Sequence, residues 1–184
     1  MRLHVHCAGP NMSLNLYMNT CSHFVSRVEI FTAAQAVISR LNELRIQHAW
    51  SDEQLERALN LTNEYLPSTL HAIAFLPVLL RQGTDEQIAR WATPASHRAL
   101  LGCYAQTELG HGTDVAELET TATFDRAKDE FVVNSPTKTS SKWWIGSSGR
   151  MATHAVVQAQ LVLEGGKRMG PHLFVVQLRD LGER

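Results

Sequence analysis

Cysteine is scarce in this sequence, and its charges are nearly balanced. Only three of the 184 residues are cysteines, Cys7, Cys21 and Cys103, and this odd, irregularly spaced set cannot form a dense disulfide framework. Seventeen basic and eighteen acidic residues give a net charge of -1, which argues against a protein that needs a basic surface to bind nucleic acid or anionic membrane. We therefore expect a reducing compartment, and a small molecule or a protein as the partner.

Long apolar runs are also missing. A membrane span needs about 20 apolar residues, whereas the longest apolar stretch, around Ile73 to Leu80, is interrupted by Pro77. The first residues lack the apolar run of a secretory signal, and the final residues, Leu181 to Arg184, differ from a peroxisomal Ser-Lys-Leu address. Neither a membrane span nor a targeting signal is predicted.

What the sequence does contain begins with a helical pattern. Residues 1–25 show no sustained period and are interpreted as an irregular lead-in. From Ser26 to about Ile46, apolar residues recur every three or four positions, which predicts a helix. Ser51 and Thr84 each precede a glutamine by three residues, and this capping-box pattern predicts that two further helices begin there.

Three prolines set the boundaries predicted for the other helices. Pro67 favours the first turn of a third helix, because the first helical residue needs no N–H donor. Pro77 is expected to kink that helix before Gly83 ends it. The helix that begins after Thr84 is expected to stop before Pro94.

Beyond about Leu100 the helical period fades, and β-branched, aromatic and aliphatic residues dominate. Turn-forming stretches at 125–129 and 164–167 separate these segments and predict antiparallel hairpins. The predicted fold class is α+β, with an N-terminal α-helical domain at 26–99 followed by an antiparallel β-domain at 100–184. The predicted strands are Thr120–Phe124, Glu130–Asn134, His154–Leu163 and His172–Leu178.

Two segments carry the most informative chemistry. Tyr104–Thr113 reads Tyr-Ala-Gln-Thr-Glu-Leu-Gly-His-Gly-Thr, and its Gly-x-Gly bend lets backbone N–H groups approach a phosphate or a planar ring. Asn134–Gly146 ends in Trp-Trp-Ile-Gly, an apolar wall beside bare backbone that suits a flat heteroaromatic cofactor. Simpler interpretations stay open on chemistry alone, because Gly-x-Gly is usually only a turn and adjacent tryptophans are usually a core and an edge residue.

Taken together, these segments resemble the acyl-CoA oxidase branch of the acyl-CoA dehydrogenase superfamily. The resemblance runs almost residue for residue from Gly102 to Trp144 and continues to about Arg179, whereas before Leu66 only the helical character matches. Ile145 departs from the pattern, since these oxidases usually carry a proline there. The resemblance implies an incomplete acyl-CoA dehydrogenase-like fold, in which a helical domain and a middle β-domain help to enclose FAD and a fatty acyl-CoA.

The resemblance also suggests which residues contact FAD. In the family, the Thr of Tyr-Ala-Gln-Thr-Glu, here Thr107, and the Gly that closes Trp-Trp-x-Gly, here Gly146, contact the flavin. Gly112 and Thr113 match a superfamily turn near the cofactor, and Trp144 is placed in the same cofactor-binding set. The family's catalytic base is a Glu of the C-terminal helical part. No residue of this chain matches that position, so no catalytic residue is assigned.

The activity implied by the resemblance is oxidation of a fatty acyl-CoA to a trans-2-enoyl-CoA, with reduction of O2 to H2O2, in fatty acid β-oxidation. A homodimer of the full-length enzyme and a peroxisomal or glycosome-like location are implied as well. Gly146 favours an oxidase, because dehydrogenases usually carry Thr there and a glycine is expected to leave room beside the flavin. The alternatives are an acyl-CoA dehydrogenase-like protein and a non-catalytic, truncated α+β module.

Several other residues are explained without catalysis or metal binding. Glu108 lies within the first motif and is interpreted as structural. His4, His6 and Cys7 could ligate a metal, but no second ligand pair follows at zinc-like spacing, so no metal is predicted. Cys103 is expected to pack as a small apolar residue.

Overall fold

The chain divides into two compact units, Met1–Pro67 and Ser68–Arg184. The computed structural model describes residues 26–62 and 68–180, together with the backbone of residues 5–6 and 13–14. In this described part, no helix is both long and apolar enough to cross a membrane. The boundary expected near residue 100 was based on secondary-structure type rather than on compactness, and it stays a prediction.

In its described residues, the first unit has a small two-stranded antiparallel ladder and two helices. The ladder lies within the segment that was predicted to be an irregular lead-in. Both helices lie close to where the apolar periodicity and the capping signals predicted them. The elements are β1 (Val5–His6), β2 (Ser13–Leu14), α1 (Arg27–Gln47) and α2 (Asp52–Leu61).

Each of these helices begins with a complete capping box. The Ser26 hydroxyl accepts a hydrogen bond from the Glu29 N–H at 3.3 Å, and the Glu29 carboxylate accepts one from the Ser26 N–H at 2.8 Å. Ser51 and Gln54 exchange the same two bonds at 3.3 and 2.9 Å. Because each box satisfies N–H groups that the first helical turn leaves unpaired, the helix start predicted at Ser51 is confirmed.

The helices of the second unit contain two π-helical turns. The first turn, His71–Phe75, leads into α3 (Leu76–Gln82), which ends before Gly83 as predicted. The second turn, Ile88–Ala92, joins two short helices. These are α4 (Asp85–Gln87), which starts with the predicted capping box at Thr84, and α5 (Thr93–Ser96).

A single residue separates each π turn from a proline. In a π turn an N–H group bonds the carbonyl five residues earlier, as Leu76 does with His71. The extra residue widens the turn, so the ring of Pro77 or Pro94 does not have to fit a regular α-helical turn. The distortion predicted at Pro77 therefore takes the form of a π turn. The prediction that the helix stops before Pro94 is wrong, because α5 continues through that residue.

The rest of the second unit is a five-stranded mixed sheet with the long strand β6 at its centre. One edge of β6 pairs antiparallel with β7, and the other pairs parallel with β3 and then with β4. β5 extends the sheet as the antiparallel partner of β4. The strands are β3 (Gly102–Ala105), β4 (Thr121–Asp125), β5 (Glu130–Asn134), β6 (His154–Leu163) and β7 (Lys167–Gln177).

The α+β class and the two predicted hairpins, β4–β5 and β6–β7, are confirmed. The expectation of a wholly antiparallel β-domain is wrong, because β6 runs parallel to β3 and β4. Parallel strands cannot be joined by a tight turn, and they are reached here through the long connections 106–120 and 135–153. The sequence reasoning also missed β3, since so short a strand directly after helices leaves little periodic pattern.

Side chains of β6 alternate between two apolar clusters, one on each face of the sheet. On one face Val156 packs with residues of the helices, among them Phe75, which is fully buried. The opposite face carries Ala155 and Val157 together with Cys103. Burial raises the pKa of the Cys103 thiol to about 11, so Cys103 is an apolar core residue, as predicted, rather than a reactive thiol.

His71 connects the helices to the first strand of the sheet. Its ring is 3% exposed, Nδ1 accepts a hydrogen bond from the Gly102 N–H at 3.0 Å, and Nε2 lies 3.0 Å from the Ala95 carbonyl oxygen. Both bonds form together only when the neutral ring carries its proton on Nε2. Burial, assisted by the charge of Arg98, lowers the pKa of His71 to about 4 and outweighs the opposing effect of the bond to Ala95.

Acid should therefore weaken the second unit. The pKa of His71 falls from its ordinary value of 6.5 to about 4 on folding, so the unfolded chain binds the proton more readily. The contribution of neutral His71 to the free energy of unfolding is fully present above pH 6.5. It is lost as the pH falls toward 4, and the total loss is roughly 3 kcal/mol. His71→Asn keeps an acceptor for Gly102 but does not titrate. In urea unfolding it should lower stability at pH 7 and flatten the dependence on pH.

The exposed His172→Asn is the control for this experiment and should change neither quantity. His154 is also buried, and burial lowers its pKa, so part of the acid sensitivity should persist in both variants. A His71→Asn variant with the full pH dependence of the unsubstituted chain would contradict the assignment.

Gly102 is required by the position of the Phe75 ring. A Cβ on Gly102 would lie 2.1 Å from Cγ of Phe75, a residue that is 0% exposed. Gly102→Ala should therefore destabilise the second unit by about 1–3 kcal/mol, the usual cost of overpacking. Gly149→Ala is the matched control, because its Cβ would meet nothing within 4 Å. Equal thermal unfolding midpoints for the two variants would show that this packing is wrong.

Candidate functional site

The two motif segments of the sequence lie side by side in the structure. We refer to residues 107–110 and 139–143 as the paired segments. Glu108 and Lys142 form an antiparallel bridge between them, and three backbone hydrogen bonds hold them in register. These bonds run from Trp143 N–H to Thr107 O (3.0 Å), from Leu109 N–H to Ser141 O (2.9 Å) and from Gly110 N–H to Thr139 O (2.9 Å).

A buried ion pair joins the paired segments. Lys142 Nζ lies 3.1 Å from Glu108 Oε1, and the two side chains are 14% and 0% exposed, respectively. Lys142 also donates to the carbonyl oxygens of Gln106 at 2.9 Å and Gln158 at 2.7 Å. These three acceptors match the three hydrogens of the ammonium group, so the buried charge is fully satisfied.

Glu108 is held as a carboxylate by several donors. Its oxygens accept hydrogen bonds from the N–H groups of Glu119 at 2.8 Å and Thr120 at 2.9 Å, in addition to Lys142. Burial raises the pKa of Glu108, but the hydrogen bonds outweigh it and the net shift is downward. Burial lowers the pKa of Lys142, and the Glu108 carboxylate partly offsets that effect. This complete set of partners agrees with a structural role for Glu108.

The two principal cofactor candidates offer unused hydrogen-bonding groups. Among the described residues, neither the Thr107 hydroxyl nor the Gly146 N–H has a hydrogen-bond partner. The backbone of Thr107 is nevertheless fixed, because its carbonyl accepts the bond from Trp143. A hydroxyl and an amide N–H held in this way can donate to the oxygen and nitrogen acceptors of a heteroaromatic ring.

Trp144 combines a strained backbone with an exposed ring. Its φ of 56° lies in the left-handed region that bulky residues rarely adopt, and its side chain is 92% exposed. Trp143 is 54% exposed, so neither tryptophan is a core residue, contrary to the simpler interpretation of the pair. Strained backbone concentrates at binding sites, and a free indole face is what the predicted aromatic wall requires.

The glycines of the Gly-x-Gly bend have different surroundings. A Cβ on Gly110 would lie 2.9 Å from Cβ of Thr139, whereas a Cβ on Gly112 would meet nothing within 4 Å. Gly110 is therefore the glycine that the pairing of the two segments requires. Gly112 and Thr113 lie in an exposed stretch beyond the paired segments, where open space leaves backbone accessible to a ligand.

His111 lies close to two carboxylates. Its Nε2 is 3.1 Å from Glu119 Oε1, and within the described ranges His111, Glu108 and Glu119 offer ligand atoms within 4.8 Å of one another. Because Glu108 already accepts bonds from Lys142 and two N–H groups, we do not assign a metal to this group. The side chains of the other metal candidates lie outside the described residues: these are His4, His6 and Cys7.

The loop that follows Gly146 is fastened to the end of β7. The Arg179 guanidinium donates to the carbonyl oxygens of Ser148, at 2.7 Å, and of Ala152. Sequence reasoning did not single out Arg179 or the lysine at 142 as site residues. Lys142 lies within the segment Asn134–Gly146, but only its distant acceptors reveal what it does, and Arg179 carries no local signal at all.

Gly146 faces a leucine rather than open space. A Cβ at position 146 would lie 2.5 Å from Cδ1 of Leu70. A methyl group of Leu70 takes the place that a Cβ would occupy, and the room expected beside the cofactor stays a prediction. The glycine is needed for the approach of that leucine.

Comparison with known proteins identifies relatives over nearly the whole chain. Residues 14–101 match the family described as acyl-coenzyme A oxidase N-terminal, and residues 103–183 match the acyl-CoA dehydrogenase middle domain. The chain is 44% identical over 161 residues to the peroxisomal acyl-coenzyme A oxidase 1 of Arabidopsis thaliana, a match that covers 85% of this chain and 24% of that protein.

Solved structures give the same result. Arabidopsis thaliana acyl-CoA oxidase 1 matches with a TM-score of 0.81 and 43% identity, over 85% of this chain and 24% of the other. Acyl-CoA oxidase-2 of Caenorhabditis elegans, solved with FAD, ascaroside-CoA and ATP bound, matches with a TM-score of 0.79 and 40% identity, over 86% of this chain and 24% of the other. The chain thus spans about a quarter of the length of these relatives.

The contact between residues 70 and 146 can be tested by a double-mutant cycle. Gly146→Ala should push Leu70 aside and lower the free energy of unfolding by about 1–2 kcal/mol. Combined with Leu70→Ala, the total loss should be smaller than the sum of the single losses by at least about 0.5 kcal/mol, because the clash disappears. Gly112→Ala, with open space around it, is the control. Strictly additive losses in urea unfolding would contradict the contact.

Proposed function

Because this chain belongs to the acyl-CoA oxidase family, we propose that its paired segments and Gly146 form part of an FAD site, beside which the whole enzyme oxidises a fatty acyl-CoA. One observation carries the proposal. Among the described residues the Thr107 hydroxyl and the Gly146 N–H are both without partners, and these are the two positions that the family's motifs give to flavin contacts. The relative from Caenorhabditis elegans solved with FAD supports the choice of cofactor.

The chain's own groups suit the isoalloxazine ring of such a cofactor. The Thr107 hydroxyl and the Gly146 N–H are donors that would stabilise the negative charge collecting on a reduced ring. The exposed indole of Trp144 offers a flat apolar face for a planar group. Gly112 and Thr113 are proposed as further contacts, because the open space at Gly112 lets a ligand reach the backbone.

The reaction proposed for the whole enzyme converts a fatty acyl-CoA into a trans-2-enoyl-CoA and reduces O2 to H2O2. FAD, when bound, would supply the two-electron acceptor for this oxidation, with O2 as the final oxidant. The base that removes the α-proton is proposed to be a Glu of the family's C-terminal helical part, which no residue of this chain matches. The contribution of this chain is therefore to bind and orient the cofactor, and we expect no turnover from it alone.

Location, assembly and domain division are proposed on the same basis. Relatives from Arabidopsis thaliana and Cavia porcellus are named peroxisomal, which supports a peroxisomal or glycosome-like location for the whole enzyme. A homodimer is proposed for the whole enzyme from the family resemblance. The two family matches meet between residues 101 and 103, and this supports a division into helical and β-domains near residue 100.

Titration with FAD tests the proposal on the purified chain. Binding should quench flavin fluorescence and shift the visible spectrum, whereas palmitoyl-CoA should yield no peroxide. Trp144→Ala should weaken FAD binding roughly fivefold, the size of one lost aromatic contact. Its unfolding midpoint should stay unchanged, because the side chain is 92% exposed. Met169→Ala, at another exposed apolar residue, is the control. A chain that takes up no FAD would favour the non-catalytic α+β module.

A further inference from the structure

We propose that the Glu108–Lys142 ion pair is the positioning element of the candidate FAD site. It fixes the direction in which Thr107 points and the path of the chain that leads to Gly146. The identity of the ligand rests on the proposed function. The geometric part of the inference rests only on contacts within the chain.

Lys142 holds the chain on both sides of Thr107. Its ammonium group donates to the carbonyl oxygen of Gln106 at 2.9 Å and to the carboxylate of Glu108 at 3.1 Å. The next residue, Trp143, donates its N–H to the carbonyl of Thr107 at 3.0 Å. Two successive residues thus bind the three successive residues 106–108, which leaves the Thr107 backbone little freedom to rotate. Neither charged side chain needs to touch a ligand to have this effect.

The same ion pair fastens the paired segments to the sheet. The third hydrogen of Lys142 goes to the carbonyl of Gln158 in β6 at 2.7 Å. Glu108 accepts the N–H of Thr120, at the residue before β4, at 2.9 Å. Because Lys142 precedes Trp143 to Gly146 directly in the chain, its attachment to β6 also fixes where the second motif begins.

A role in positioning explains why charges are buried here at all. Taking two charges out of water costs about as much free energy as their attraction returns, and an apolar pair of similar size often stabilises a fold as well or better. An apolar pair, however, could not bind the carbonyls of Gln106 and Gln158 and the N–H groups of Glu119 and Thr120. The ion pair therefore determines one arrangement of these four partner positions around Glu108 and Lys142, which is what a site made of two separate motifs requires.

Hydrogen exchange on the ligand-free chain tests the geometric part. Lys142→Met should speed amide exchange at Leu109, Gly110 and Trp143, whose N–H groups cross between the paired segments, by at least about tenfold relative to Val156 in β6. Lys128→Met is the matched control. It removes a lysine that is 66% exposed and lies 3.7 Å from Glu130 in the same sheet, and it should change none of these rates.

FAD affinity, compared with the unfolding midpoint, tests the positioning of the site. Groups that orient ligand-contacting residues typically change affinity about tenfold or more, so Lys142→Met should weaken FAD binding by at least that factor at temperatures where the variant is fully folded. Adding propylammonium to Lys142→Ala should restore part of the affinity, because it returns the missing cation. If Lys142→Met does not fold, the same measurement is made on Glu108→Gln, because glutamine keeps one acceptor oxygen and removes the charge.

The outcomes separate this inference from the proposed function. Unchanged exchange at the three crossing amides in Lys142→Met would overturn the inference, whatever FAD does. Faster exchange with unchanged FAD affinity would overturn it too, because the pair would then support the fold without setting the site. If the unsubstituted chain binds no FAD, the proposed function fails for this chain. Faster exchange in Lys142→Met would still support the geometric part.

Discussion

A largely buried ammonium group that must find three acceptors governs the arrangement of the candidate site. Lys142 is 14% exposed. Two of its acceptors come from residues 106 and 108, far before it in the chain, and the third comes from residue 158, well after it. An unpaired charge in such a place would cost several kcal/mol, so the segments that supply the acceptors have to converge on it. The observed register of the paired segments, and with it the carbonyl contact of Thr107, is compatible with that convergence.

The second unit contains another buried ionisable side chain, and it is accommodated in the opposite way. Lys142 lies next to a carboxylate, whereas His71 bonds two backbone groups and has its pKa lowered to about 4 by burial. His71 therefore works as a neutral bridge from the helices to β3, beside the close contact of Gly102 with Phe75. His71, as the neutral bridge, attaches the helices to the sheet, and the Glu108–Lys142 ion pair attaches the motif segments to the same sheet.

The features that the sequence predicted correctly depend on residues near one another in the chain. Capping boxes need a partner three residues away, and the β4–β5 and β6–β7 hairpins need only a turn between two strands. The features it missed depend on distant residues. Nothing near β6 shows that it pairs in parallel with β3 and β4, and the sequence around Pro94 does not show that a π turn lets the helix continue. The motif residues Thr107 and Gly146 were found through a family resemblance, while the role of Lys142 became visible only with its acceptors.

Leu70 shows why a single motif position is a poor guide to the space around a cofactor. Dehydrogenases of the superfamily usually carry Thr where this chain has Gly146, and the smaller residue suggested an open path for oxygen. In the structure a methyl group of Leu70 takes the place of the absent Cβ, so residues 70 and 146 share one volume. The space around position 146 therefore depends on both residues together. With leucine at position 70 the place of the absent Cβ is occupied, while the Gly146 N–H has no partner among the described residues.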